Sequence, residues 1–217
     1  MSRVTELKYS NTNTYLIEGS AGTILFDTGW AGTFQMFCKA MGECGKRVQD
    51  IDYILISHFH PDHMGIAQEI ADYMVCDEHE DKASGCSKGI VVVDLQFPYV
   101  HSSDAIFAKD QKLQFSPIVD EKLKVITVKD SRKFLSGLGL QGEILHTPGH
   151  SDDSISLWLD EGILFVGDLN PLYELELHKG TEIEKSWNKL LALKPKKVYY
   201  GHAKSASLAE RGRAGDT

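Results

Sequence analysis

A layered α/β fold is predicted by three observations. Short runs of branched and aromatic residues recur along the chain, bounded by Asp, Gly or Pro turns. Fewer stretches carry apolar residues at helical spacing. Several of the strand-like runs end in a His or Asp beside glycine, at strand ends where sites gather in such folds. The 217 residues fall within the range of one domain, so residues 1–217 are expected to form a single unit.

Composition narrows the function classes. Hydrophobic residues at 42% and charged residues at 25% are ordinary for a soluble globular protein. A net charge of -8 argues against a nucleic-acid surface, which would cluster Lys and Arg. No stretch approaches the length of a transmembrane helix, so no membrane partner is expected. Met1 to Tyr15 is polar and lacks the apolar centre of a signal peptide, which points to the cytoplasm. Cys38, Cys44, Cys76 and Cys86 make no C-x-x-C pair, so free thiols are expected rather than a disulfide framework or a cysteine zinc site.

In chain order, Val4 to Tyr9 and Thr14 to Glu18 are strand-like, Gly19 to Gly22 is a turn, and Thr23 to Phe26 returns as a third strand. Asp27 ends that strand; locally it is equally a turn-former or a site residue. Thr33 to Met41 has helical spacing and is expected to stop at Gly42 and Gly45. Tyr53 to Ile56 is a buried strand, and Met64 to Met74 a helix with Ile66, Ala67, Ile70 and Met74 on one face. Val75-Cys76 is a candidate short strand and Asp77 to Ser84 a candidate helix. Gly85 to Pro117 has no clean period despite Ile90 to Val93; it suits a lid or substrate wall, or an extra pair of helices covering core, the second being preferred. Strands are expected at Val125 to Val128, Gly142 to Leu145, Ile155 to Leu159, Ile163 to Val166 and Lys197 to Tyr200, and a helix at Glu182 to Leu193 ended by Pro195. After Ala206 a loose tail is expected.

The densest chemistry is Ser57-His58-Phe59-His60-Pro61-Asp62-His63, directly after the strand at Tyr53 to Ile56. Side chains alternate on an extended chain, so His58 and His60 point to one side and Phe59 to the other, and two nitrogens can share a metal. Pro61 bends the chain, putting Asp62 and His63 on the turn that opens the next helix, where they can face a second metal. Imidazole nitrogen and carboxylate oxygen are donors for zinc, iron and manganese. Three further endings place a donor past a strand: His146-Thr147-Pro148-Gly149-His150, Gly167-Asp168 and Gly201-His202. Glycine beside each lets the backbone turn and approach a site closely.

With Asp27, His58-x-His60-x-Asp62-His63, His150, Asp168 and His202 in this order and spacing, nearly the whole chain resembles the metallo-β-lactamase superfamily. The resemblance implies an αββα sandwich, two mixed sheets face to face with helices outside, and a metal site along one edge. It implies that His58, His60 and His150 bind one divalent metal, that Asp62, His63 and His202 bind a second, and that Asp168 bridges them, with Asp27 bracing the site from behind. Zinc is the expected ion, with iron and manganese as alternatives.

A hydrolase follows from the same residues. A metal lowers the pKa of bound water so that hydroxide is available near neutrality, and two metals can hold it and polarise the scissile group. Asp62 and Asp168 supply negative charge to hold two dications, and Asp62 is a candidate for orienting the nucleophile. Within the superfamily, Asp168 and the lack of a signal peptide argue against β-lactam hydrolysis, and the short acidic chain against the nuclease branches. What remains is similar to glyoxalase II-type thioesterases and acyl-homoserine lactonases. After His150, Ser151-Asp152-Asp153-Ser154 stands where the glyoxalase II type carries Thr-x-Gly, and that type's C-terminal helical domain is not seen, which argues against a glutathione thioester. Tyr173 is a candidate contact for a substrate oxygen, balanced by its being an ordinary loop tyrosine; His146 and His178 are more simply structural. The leading expectation is a dinuclear metallohydrolase of a small ester, thioester, lactone or phosphodiester. A mononuclear iron persulfide dioxygenase and a metal-binding signalling module with little turnover are the alternatives.

Overall fold

The computed structural model describes residues 2–74, 88–102 and 114–208. Eleven strands among these residues form two sheets. The first has β1 (Arg3–Leu7), β2 (Thr14–Glu18), β3 (Thr23–Phe26), β4 (Tyr53–Leu55), β5 (Gly89–Val93) and β6 (Leu123–Ile126) in sequence order. β1 to β3 run antiparallel, and β3 to β6 are mutually parallel. The second has β7 (Gly142–His146), β8 (Ile155–Leu159), β9 (Ile163–Phe165), β10 (Lys197–Tyr199) and β11 (Ala206–Ser207), in the order β11-β10-β9-β8-β7. Only β9 and β10 are parallel there.

Alternation along the strands sorts the apolar side chains into three cores and so into four layers. Leu16, Leu25, Ile54, Ile90 and Val92 face outward from the first sheet onto α1 (Phe34–Glu43) and the helix Ala67–Tyr73, against Phe37, Met41 and Ile70. Tyr15, Ile17, Ile24, Phe26, Leu55 and Val91 face the second sheet and meet Ile144, Leu157, Phe165 and Tyr199. Phe165 and Tyr199 stack there with ring centroids 4.9 Å apart. On the far side, Trp158, Leu164, Val166 and Val198 pack on Ile183, Trp187 and Leu190 of the helix Glu182–Leu191. Trp187 is fully buried and its Nε1–H donates to Asn170 O at 2.8 Å, so its polar edge is satisfied within a core. Truncation to Ala there would cost about 3–5 kcal/mol.

The αββα sandwich is the expected fold, with local differences. α1 runs through Gly42 to Glu43 instead of stopping there. The helix expected over 64–74 is two pieces, α2 (Pro61–Met64) and α3 (Ala67–Tyr73). The break has a contact behind it: the Gly65 N–H donates to Gly29 O at 2.8 Å, and a Cβ on Gly65 would lie 2.2 Å from Ala31 N. Gly89–Val93 is a strand, not part of a helical cover; it is buried on both faces between parallel neighbours, which removes the alternation that marks a half-exposed strand. β6 sits two residues earlier than expected, and Thr127 instead caps a turn by accepting from the Asp130 N–H. The short helix α4 (Phe97–Val100) falls within the stretch expected to hold a pair of helices, whereas α5 (Ser131–Gly137), the 3₁₀ segment Leu172–His178 and β11 are additional to the expected elements; β11 pairs with β10 at the start of the expected loose tail. With these counted, Glu182–Leu191 is α6. The expected elements at Val75-Cys76 and 77–84, with Cys76, Cys86 and residues 85–87 and 103–113 of the stretch from Gly85 to Pro117, lie outside the described residues. No helix among the described residues is long and apolar enough to cross a membrane.

Candidate metal centre

The ends of β3, β4, β7, β9 and β10 open at one end of the sandwich and deliver Asp27, the 57–63 segment, His150, Asp168 and His202 there. Donor atoms of His58, His60 and His150 form one group and those of Asp62, His63, Asp168 and His202 another, the atoms within each lying inside 4.8 Å of one another. Ligands held at about 2.1 Å around one ion lie roughly 3.4 Å apart, so each group is near the contraction a shared ion requires. Asp168 belongs to the second group, yet its Oδ2 is 3.6 Å from His150 Nε2 and 4.0 Å from His58 Nε2. The carboxylate therefore faces both groups.

Three of the rings are oriented from behind. His63 Nδ1 lies 2.8 Å from Asp27 Oδ2, which leaves Nε2 pointing at the site. Ser57 Oγ donates to Asp27 Oδ2 at 2.9 Å, so its oxygen accepts from His58 Nδ1–H at 3.0 Å and the His58 Nε2 lone pair faces inward. His202 Nδ1 donates to Asn11 O at 3.1 Å, turning its Nε2 to Asp62 Oδ2 at 2.9 Å. His60 Nδ1 and His150 Nε2 face each other at 3.0 Å. Asp27 is fully buried at φ 62, a left-handed conformation costing about 1–3 kcal/mol. It is held by its N–H donating to Leu55 O at 3.0 Å and by the Ser57 N–H donating to its Oδ1 at 2.7 Å.

Two glycines are required by closeness. A Cβ on Gly201 would lie 2.4 Å from Asp168 Oδ1 and 2.8 Å from His63 Cε1; one on Gly167, at φ 54, would lie 2.4 Å from Ser57 Oγ. The loop before β2 closes the site from the other side. Thr12 Oγ1 donates to Asp62 O at 2.8 Å, and Asn13 Nδ2 donates to Tyr200 O and Ala203 O on either side of His202.

The donor set fits a bound cation. His58 Nε2, His63 Nε2 and Asp168 Oδ1 are buried without a hydrogen bond, although the last two are only 3.2 Å apart. His58 Nε2 thus lacks a hydrogen-bond partner, and the His63 Nε2–Asp168 Oδ1 separation is close to that of two ligands on one ion. Protonation within the protein alone says the same. Burial, with His63 beside it, pushes the His58 pKa well down, so that ring is neutral and a donor of its lone pair. Burial alone would depress His63, but Asp27 and Asp168 raise it to about 10. Asp168 and Asp62 raise His202 to about 10 as well. Burial pushes Asp168 up, but His202 and His63 outweigh it and hold the carboxyl well below the usual range. In the second group protons thus stand where a cation would.

The structure does not bring every candidate into the cluster. Tyr173 follows Asp168 on the 3₁₀ segment with its side chain 80% exposed. His146 Nε2 bonds Asp152 O at 2.8 Å and so braces the loop; His178 lies at the end of the 3₁₀ segment, its carbonyl accepting from Thr181 Oγ1. Ser57 and Asp153 lie in quoted stretches but carry no assigned role in the sequence reading, and Asn11, Thr12, Asn13 and Gln96 have no motif to mark them; each makes a contact distant in sequence.

A two-sheet α/β sandwich with His and Asp donors gathered at one end is a metal-dependent hydrolase-type fold with a candidate metal centre. The chain belongs to the Metallo-beta-lactamase superfamily, whose family model matches residues 8–202. It is 27% identical over 198 residues to the Beta-lactamase-like protein 2 homolog of Drosophila melanogaster, covering 88% of this chain and 58% of the relative. It is 28% identical over 158 residues to a Probable metallo-hydrolase of Methanocaldococcus jannaschii, covering 73% and 66%. The chain thus spans less than two thirds of the length of these relatives. Among solved structures it resembles a metallo-beta-lactamase family protein from Thermus thermophilus (TM-score 0.62, 20% identity, 95% of this chain and 74% of that one). A second, solved in a di-iron-bound form, matches with TM-score 0.65 and 22% identity over 97% of both chains.

Proposed function

We propose that the protein is a dinuclear metal-dependent hydrolase of a small ester, thioester, lactone or phosphodiester. The observation that carries this reading is the meeting of two donor groups at Asp168, with His58 Nε2 there buried without a hydrogen-bond partner and His63 Nε2 3.2 Å from Asp168 Oδ1. His58, His60 and His150 would hold one ion, Asp62, His63 and His202 the other, and Asp168 would lie between. Zinc is proposed; the same donors suit iron and manganese, and the di-iron-bound neighbour lends iron support. When bound, such a pair lowers the pKa of water toward neutrality and polarises a scissile carbonyl or phosphoryl group.

The chain's own residues set the conditions for this. Asp27 keeps the His63 proton on Nδ1, and Ser57 keeps that of His58 on Nδ1, so that both Nε2 atoms are available. Burial pushes Asp62 up, but His202 and His63 outweigh it and hold the carboxyl below its usual range, so at neutral pH it is an acceptor. Half-buried, it would be the group that orients a water for attack. Asp62 and Asp168 together offset cationic charge. No serine or cysteine nucleophile is needed. A small-molecule substrate, with no nucleic-acid or membrane partner, one domain and a cytoplasmic setting belong to the same proposal.

The test is an assay of zinc-loaded protein against thioesters, lactones, carboxylic esters and phosphodiesters, following acid or alcohol release. Turnover of one class, lost on chelation and restored by added metal, is expected. Two bound ions with no turnover on any class would overturn the enzyme reading in favour of a binding module.

A further inference from the structure

The three histidines of the first group come from two loops more than eighty residues apart, and their spacing depends on how those loops are fastened together. The fastening is a buried carboxylate outside both donor groups. Asp153 is 3% exposed. Its Oδ2 accepts from the Phe59 N–H at 2.8 Å, the amide lying between His58 and His60. Its Oδ1 accepts from Ser151 Oγ at 2.7 Å, on the residue next to His150. One oxygen is thus committed to each ligand loop, and the rigid carboxylate sets the distance between them. Burying a charge is costly unless it is fully hydrogen-bonded, and here both oxygens are.

The backbone around Asp153 is tied down as well. Gln96, fully buried after β5, has Nε2 3.0 Å from Asp153 O, 3.2 Å from Ile56 O and 3.4 Å from Ser57 O, while its Oε1 accepts from the Val93 N–H at 3.1 Å. The Ile155 N–H donates to Ser57 O at 2.8 Å. Phe59 points the other way, 2% exposed in the outer core of the first sheet, so the loop cannot swivel to compensate if the carboxylate is lost. The second group does not share this fastening. Its ligand segment is held by Asp27, by Thr12 Oγ1 on Asp62 O and by Thr28, whose N–H and Oγ1 both donate to His63 O.

We propose that Asp153 is a positioning residue for the first ion: it clamps the His58–His60 loop to the His150 loop and sets the spacing of the three imidazoles. The proposal rests on the two-ion reading above. A carboxylate that merely stabilised the fold would lower melting temperature without favouring one donor group. A clamp on the first group separates the two.

The experiment is equilibrium titration with cobalt(II), read by its visible absorption bands, on the wild type, Asp153→Ala, Asp153→Asn and a His150→Ala reference that marks the first-group step. In Asp153→Ala the step lost in His150→Ala should weaken about 10–100-fold while the other step is unchanged. Asp153→Asn, which keeps an acceptor for the Phe59 N–H, should recover most of the loss. Equal weakening of both steps, or none, overturns the proposal. If Asp153→Ala does not fold, Asp153→Asn and Ser151→Ala decide: a selective loss in Ser151→Ala smaller than in His150→Ala supports the clamp, and unchanged titrations of both variants overturn it. A wild type that takes up one ion or none fails the two-ion reading at the outset and takes the clamp with it, a result distinct from two ions bound normally by Asp153→Ala.

Discussion

The two donor groups differ in charge and in what holds them. The first, His58, His60 and His150, is made of imidazoles alone on two loops, with His150 and His60 near the surface. The second, Asp62, His63, Asp168 and His202, has two carboxylates around a fully buried His63, itself backed by the buried Asp27. A group with formal negative charge attracts a dication but attracts protons too, and within the protein alone it has taken them: His63 and His202 are raised to about 10. In the first group burial pushes both His58 and His150 down, so these two rings favour the neutral form. The second group must therefore release protons to bind, and His58 and His150 need not.

Asp168 faces both groups, so its loss should have the largest effect. Asp168→Ala should lower metal uptake at both groups and reduce any hydrolysis by more than about 100-fold, beyond the range of residues that act only from behind a ligand, with the fold retained. Metal content and turnover at wild-type levels would remove the bridging role. Next is Asp27→Asn, which tolerates the left-handed backbone but loses the carboxylate. A fall of about 10–100-fold in second-group affinity is expected in a chelator competition, with a smaller fall at the first group, because Ser57, which orients His58, also donates to Asp27 Oδ2.

A smaller, graded effect is expected of pH. The raised pKa values of His63 and His202 give the metal-free protein stability that is fully present below the ordinary histidine value, about 6.5, and is lost as pH rises toward 10. The depressed Asp62 and Asp168 contribute stability present above the ordinary carboxylate range and lost in acid. Metal must displace the histidine protons, so second-group affinity should rise between about pH 6.5 and 10. Calorimetry in buffers of different ionisation heat should show proton release on binding the second-group ion and little on the first. The least effect should come from Cys38→Ser, since Cys38 packs beside the outer core of the first sheet, away from both groups; metal content should not change.

What was legible in the sequence is what strand ends mark locally. Donors beside Gly167 and Gly201, and the crowded 58–63 segment after a branched strand, announce themselves because close approach demands glycine and the strand supplies direction. The layers were legible as the fold the superfamily resemblance implied. Asp153, Gln96 and Asn13 were not, because each is defined by a partner brought near only by folding: Asp153 bonds an amide 94 residues away, and Asn13 a carbonyl 187 away. β5 was obscured by being buried on both faces, and the break at Gly65 by being decided in the loop at 29–31.

The most direct test of the two-group account is metal content per chain after reconstitution and desalting, by plasma mass spectrometry on wild-type protein. The account predicts close to two divalent ions, zinc, iron or manganese, per chain. A value of one, unchanged by excess metal, would contradict it; a single iron would move the search to persulfide oxidation.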